Sequence, residues 1–312
     1  MLYRYVECKK ECTSHENGIT VLNADYQNIN AEYIPASEEY MLALDKLEKS
    51  LDEKSEFCSI EKGMKKVGYQ IPDNSYIYDA VQYMVGNAGY SGFSDAESSV
   101  GDIITTELAI KENGEDLDLV VADTSSIIPG IAAEFGFDLD SILLEHCCVQ
   151  INWSNKKYEL YFSNGSTVIA NIVICTVPIG ILKGRKIKTN FFDETRLAIF
   201  DQVPLGHFSN VFAFVKCENM TFDQTDIGKV FYFKNQIVPF RSLWLEKIIK
   251  DSEYLIHFMT VGDQAIQISQ MNRETLGSLI SLTLQNVYKN EFQGFRLTII
   301  RYLVANHHVV MT

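Results

Sequence analysis

CVQINWSNKKYELYFSNGSTVIANIVICTVPIGILK, residues 148–183, decides the fold class. It reads as three extended runs, Cys148–Trp153, Tyr158–Phe162 and Thr167–Thr176, each apolar or β-branched and bounded by turn residues. Asn164-Gly165 supplies the positive φ angles of a tight hairpin between the last two runs. Upstream, Leu117–Ala122 is a short apolar strand that passes through Asp123, Thr124 and Ser125, all capable helix caps, into a helix ending near Glu134. Downstream, Asp193 caps a helix running to Phe200, and Asn210–Val215, Val230–Phe233 and Tyr254–Thr260 are strand-like. Leu276, Ile280, Leu284 and Val287 form the apolar stripe of a helix from Arg273 to Lys289, before a β-rich Phe295–Val304. Nearer the N-terminus, Ser37 is placed to cap a helix over 37–54 with Tyr40, Leu44, Leu47 and Leu51 on one face. Tyr76–Met84 reads as a second helix, and Gly86, Gly89 and Gly92 as a loop. The expected fold is α+β (mixed α/β), a mixed sheet with flanking helices and no complete Rossmann unit. Residues 1–115 form a helical part, 116–183 a strand-rich edge with a β-hairpin, and 184–312 a sheet with helices. Ile172, Ile174, Val177, Ile199 and Val211 are expected in the core, with the helix near Ser126–Glu134 packed on the sheet of the 148–176 strands.

Composition narrows the function. The 312 residues are 46 % hydrophobic and 22 % charged, which is ordinary for a globular chain. A net charge of −14 opposes a phosphate backbone, so nucleic acid is not an expected partner. No run of about 18 apolar residues offers a membrane span, and Met1–Glu16 lacks the apolar centre of a secretion signal. Seven scattered cysteines do not make a secreted disulfide framework, so reduced thiols in the cytoplasm are expected.

The ordered run Val173-Ile174-Cys175-Thr176-Val177-Pro178-Ile179-Gly180-Ile181-Leu182-Lys183 resembles the flavin-dependent amine oxidases, the family of monoamine and polyamine oxidases and related histone demethylases. Ile142–Trp153, the Asn164-Gly165 hairpin, Arg196-Leu197-Ala198-Ile199 and Val203-Pro204-Leu205-Gly206 extend the resemblance over about a third of the chain. It implies an amine-oxidase-like substrate domain with the edge of an FAD domain. It also implies a small-molecule amine as substrate, hydride loss from that amine to FAD, and reoxidation of the flavin by oxygen. By this resemblance Cys148 offers backbone groups to the adenine end of FAD, with the Thr176-Val177-Pro178 corner beside it. A strand end suits that task because its backbone N–H and C=O groups are left unpaired.

The chain departs from that family in identifiable places. It contains no G-x-G-x-x-G turn to receive a pyrophosphate; Gly86-x-x-Gly89-x-x-Gly92 lacks the close pair. The glycine-rich FAD contact and flavin-facing aromatic segment of the family's C-terminal part are also missing. Ala122-Asp123 stands where the family has Gly-Gly, and Phe191-Phe192-Asp193-Glu194 replaces its proline-rich link. Counting from Val203-Pro204-Leu205-Gly206, the lysine that holds a water at the flavin falls on Asn210, which supplies no charge. FAD binding by this chain alone is therefore expected to be weak or absent, with activity only if FAD-binding segments complete it. The alternative is a non-enzymatic protein-interaction module that keeps part of the fold. No metal is expected: Cys8, Cys12 and His15 align on a helix without a fourth ligand, and His146 and Cys148 share only a strand face. Trp153 and Trp244, with 16 tyrosines and 18 phenylalanines, are read as core before they are read as an amine cage.

Overall fold

The structure, a computed structural model, describes residues 18–51, 58–86, 88, 93–101, 103, 127–218, 221–234, 237–250, 252–288 and 296–310. In chain order its elements are β1 (Ile19–Leu22), α1 (Asn30–Ser50), α2 (Ile60–Lys66), α3 (Ser75–Met84), α4 (Ile127–Phe135), β2 (Cys148–Ser154), β3 (Lys157–Phe162), β4 (Thr167–Ala170), α5 (Ile179–Lys183), β5 (Lys188–Thr189), α6 (Glu194–Gln202), β6 (Leu205–Glu218), β7 (Val230–Phe233), β8 (Ser242–Lys250), β9 (Glu253–Val261), α7 (Asp263–Gln270), α8 (Arg273–Tyr288) and β10 (Arg296–Val310). They divide into two compact units, one within 115–204 and one made of 12–114 with 205–312. The expected strand at 117–122, the Ala122-Asp123 position, Cys8, Cys12, His15, Gly89, Gly92, Lys289 and Phe295 lie outside the described residues.

The larger unit is built on a six-stranded sheet of order β1-β7-β8-β9-β6-β10. β1 and β7 are parallel, and the other neighbours are antiparallel. Strict alternation along β6 sends Val211, Ala213, Val215 and Cys217 to one face. There they join Leu243, Leu245, Tyr254, Ile256 and Phe258 from β8 and β9 and the stripe Leu276, Ile280, Leu284 and Val287 of α8. The helical spacing of those four residues is borne out in full. A second cluster gathers α1, α2 and α3 through Tyr33, Tyr40, Leu47, Met64, Ile77 and Val81, together with Val21, Tyr232 and Val261 from the strands.

α1 begins seven residues before Ser37. Asn30 accepts a hydrogen bond from the Val21 amide at 2.7 Å and donates to the Ile19 carbonyl at 2.8 Å, which fastens the helix start to β1. Pro35 sits inside the helix, where it removes one backbone donor but does not stop the chain. Ser37 is therefore interior, with its hydroxyl donating to the Ile34 carbonyl. α3 is capped by Asn74, whose side chain accepts from the Tyr76 amide at 3.1 Å. Its Asp79 meets Arg241 at 2.7 Å and Lys234 at 3.1 Å and accepts from the Tyr232 hydroxyl. Burial opposes the charge on Asp79, but Arg241, Tyr232 and Lys234 outweigh it and hold the carboxyl below its ordinary range.

The smaller unit carries a four-stranded sheet of order β4-β3-β2-β5. β2 and β3 turn through Asn155 and Lys156, both at positive φ (49° and 62°), a conformation the sequence did not advertise with glycine. β3 and β4 form the expected hairpin, but only Gly165 takes positive φ, at 85°. The Phe162 amide reaches the Ser166 carbonyl across a three-residue loop. The strand expected to run to Thr176 stops at Ala170, which pairs with Tyr158, and only Lys157 of β3 lies beyond that pair. Residues 171–178 are irregular, with Ile172 79 % and Ile174 85 % exposed. Of the five residues expected in the core, Val211 is fully buried, Val177 is half-buried, and Ile172, Ile174 and Ile199 are exposed. α4 buries Ala132 and leaves Ile127, Ile128, Ile131 and Phe135 exposed, so its apolar stripe is not spent on the sheet as expected.

Two outcomes follow from this packing. Ile280→Ala should lower stability by about 2–5 kcal/mol, whereas Ile174→Ala should change it by less than about 0.5 kcal/mol; urea unfolding of each variant checks the contrast. Asp95, fully buried between the Tyr40 and Tyr78 hydroxyls at 3.1 and 3.2 Å, has its carboxyl pushed above 3.8 chiefly by burial. A raised folded pKa stabilises below the unfolded value and is lost as pH rises through the folded value. Asp95→Asn should therefore gain stability relative to the native chain as pH increases from about 4 toward neutrality, measured as the difference in Tm.

Candidate functional site

The side of β6 opposite its buried stripe presents Asn210, Phe212 and Phe214, all half-buried. Backbone register then determines what joins them. Phe212 pairs with His257 of β9, and His257 pairs with Trp244 of β8. Phe212 and the imidazole stack at 4.1 Å between centroids and 26°, and the Trp244 ring lies 4.1 Å away on the other strand. His257 Nε2 is 2.6 Å from Asn210 Oδ1, and its Nδ1 is 3.6 Å from Glu246 Oε2. Glu246 also accepts from the Trp244 indole N–H at 2.7 Å. It sits at a register irregularity between Leu245 and Lys247, a bulge of the kind that re-aims a side chain. Burial lowers the His257 pKa below 6.5, and Glu246 partly opposes that shift. The result is an aromatic wall with an amide hydrogen-bonded to one imidazole nitrogen and a carboxylate facing the other.

Asn210, the position singled out in the sequence, is thus in this cluster. His257, Glu246 and Trp244 were not tied to it in the sequence, because only strand register brings residues 34 to 47 positions away into one cluster. Cys148, Thr176 and Pro178 lie in the smaller unit. Cys148 opens β2 with its thiol 3.7 Å from the Gln150 carbonyl oxygen, and burial, with smaller contributions from Cys147 and Cys175, pushes that thiol up. Thr176 and Pro178 are exposed, and Pro178 precedes α5. A separate cleft of about 270 Å³ in the larger unit is lined by Asp79, Gln82, Glu97, Arg241, Asp263 and Gln264 among others. Arg241 already donates to both Asp79 and Gln264 there. No group of three or more potential metal ligands occurs among the described residues, and none of their helices is long and apolar enough to cross a membrane.

The family model described as flavin containing amine oxidoreductase matches residues 29–309. The chain belongs to that family. Among solved structures, a doubly substituted putrescine oxidase is similar with a TM-score of 0.64 and 12 % identity, over 92 % of this chain and 66 % of that one. Cyclohexylamine oxidase from Brevibacterium oxydans gives 0.57 and 13 %, over 88 % and 62 %. A putative protoporphyrinogen oxidase from Exiguobacterium sp. gives 0.57 and 12 %, over 93 % and 68 %. No curated protein matches. The likeness establishes the fold, and the chain spans about two thirds of the length of these oxidases.

The family name implies a flavin, so the residues present can be tested against FAD. Residues 171–178 form neither strand nor helix, and Cys148 opens β2 in register with Phe162 of β3. A pyrophosphate cradle does not fit. The strand–glycine–helix turn that comes nearest, Val261–Gly262–Asp263, has one glycine at φ 64° and opens α7 with an aspartate, which repels phosphate. The amine oxidoreductase fold is present, and among the described residues this turn makes no pyrophosphate cradle.

Thiol reactivity tests the local geometry. Cys147 and Cys175 are exposed, Cys58 and Cys148 half-buried, and Cys217 is buried with its thiol pushed up to about 11 by burial. Among these five, iodoacetamide at neutral pH, followed by peptide mass spectrometry, should label Cys147 and Cys175 first and Cys217 only on unfolding. Early labelling of Cys217 would contradict the strand assignment of β6.

Proposed function

We propose that this chain is the substrate-side part of an amine-oxidising flavoprotein, that the Asn210–Phe212–His257–Trp244 face receives a small-molecule amine, and that the chain by itself holds FAD weakly and oxidises no amine. The family match over residues 29–309 carries the reading. Its substrate half is supported by an aromatic wall suited to an alkylammonium group, because aromatic faces attract cations. Asn210 at the position that resemblance assigns to a lysine supports low activity, since an amide adds no positive charge. Cys148, Thr176 and Pro178 are the residues proposed to face the adenine end. The five described cysteines are free thiols, which supports a reducing, cytoplasmic setting.

A second reading has its own observation. The smaller unit exposes Ile127, Ile128, Phe135, Leu144, Ile172 and Ile174, more apolar surface than an isolated unit needs. A protein partner or a separate FAD-binding segment would cover it, and in the former case the chain is a non-enzymatic interaction module.

Titrating FAD into the purified chain while following flavin fluorescence tests the proposal. The expected dissociation constant is on the order of millimolar or weaker, with no peroxide released from amines. Asn210→Lys should rescue neither. A micromolar constant, or peroxide production, would overturn it.

A further inference from the structure

His257 is held at both nitrogens, and the two contacts differ in kind. With Asn210 Oδ1 at 2.6 Å, Nε2 carries the hydrogen and donates it. In the neutral ring Nδ1 is then a bare acceptor facing the carboxylate Oε2 of Glu246 at 3.6 Å, lone pair against lone pair. We propose that His257 and Glu246 form a proton-binding site, in which one proton taken from solvent onto Nδ1 converts this opposed contact into a charge-assisted hydrogen bond. The bond formed is Nδ1–H, the proton comes from water, and nothing is oxidised or reduced.

The surroundings make the site selective for a proton. Phe212 and Trp244 occupy both sides of the imidazole, leaving its side chain 12 % exposed, while Glu246 is 44 % exposed and connects it to solvent. Asn210 fixes the ring, and Trp244 fixes the carboxylate through its indole N–H, so both partners are already oriented when the proton arrives. Among the described residues, Glu246 is the charged group on β8 that reaches the ring, and β6 contributes the uncharged Asn210 and Phe212. On β9 itself the flanking residues of the same face are Leu255 and Met259. Lys247, paired with Leu255, and Lys216, paired with Glu253, are exposed cations farther along. Since burial outweighs Glu246, the ring is neutral at neutral pH and charges below the ordinary histidine range. A positive charge beside position 210 would then be a function of pH. This inference does not depend on the proposed function, because it concerns the flavin-free chain.

Trp244 reports on the site directly, as a protonated imidazole quenches an adjacent excited indole. The chain has two tryptophans, so Trp153→Phe leaves Trp244 as the sole emitter. Its fluorescence should fall on acidification with a midpoint below about 6.5. Adding His257→Gln should abolish the step, and adding Glu246→Gln should move the midpoint lower still. If His257→Gln fails to fold, histidine ring NMR of the unaltered chain gives the same answer: the His257 ring signals should titrate below about 6.5 and move down in Glu246→Gln. A step that survives His257→Gln, or a midpoint unmoved or raised by Glu246→Gln, would overturn the proposal.

Discussion

The two-residue period of β6 is the constraint on which the larger unit depends. Val211, Ala213, Val215 and Cys217 are fully buried against α8 and the neighbouring strands, and Asn210, Phe212 and Phe214 necessarily face the other way. A one-residue slip would bury Asn210 and expose Val211, exchanging core for site along the whole strand. Fixing the core therefore fixes the site. The 14 residues of β6, paired with β9 on one side and β10 on the other, make that register costly to change.

From this strand the remaining chemistry is assembled by pairing rather than by proximity in sequence. Register with β9 brings His257 opposite Phe212, and register with β8 brings Trp244 opposite His257. The bulge at Glu246 then directs a carboxylate toward the imidazole. Elsewhere in the same unit, Asp79 of α3 ties the helical layer to β7 and β8 through Tyr232, Lys234 and Arg241. These two polar networks do different work. The Asp79 network has one carboxylate matched by two cations, and so it is locked. Among the described residues no cation joins the His257 network, and so it can titrate.

Much of the fold was legible because it rests on local periodicity. The α8 stripe, the Asp193 cap and the β3–β4 hairpin follow from spacing and turn chemistry within a few residues. What was not legible depends on partners distant in sequence. The start of α1 is set by Asn30 bonding to β1, so Ser37 misled as a boundary signal. The apolar run after Ala170 has strand composition but extends past the start of β3, where only Lys157 remains, and Ile172 and Ile174 stay exposed. Asn210 could be found by resemblance, whereas His257 and Trp244 carry no motif and become part of the site only through register.

Hydroxyl-radical footprinting of the native chain, read by mass spectrometry, measures the two faces of β6 and its neighbours at once. Phe212, Trp244 and His257 should be oxidised well ahead of Phe233, Phe240 and Phe258, which are fully buried on the helix-covered side. Equal labelling of the two sets, or earlier labelling of the second, would contradict the assignment of one face to the core and the other to chemistry.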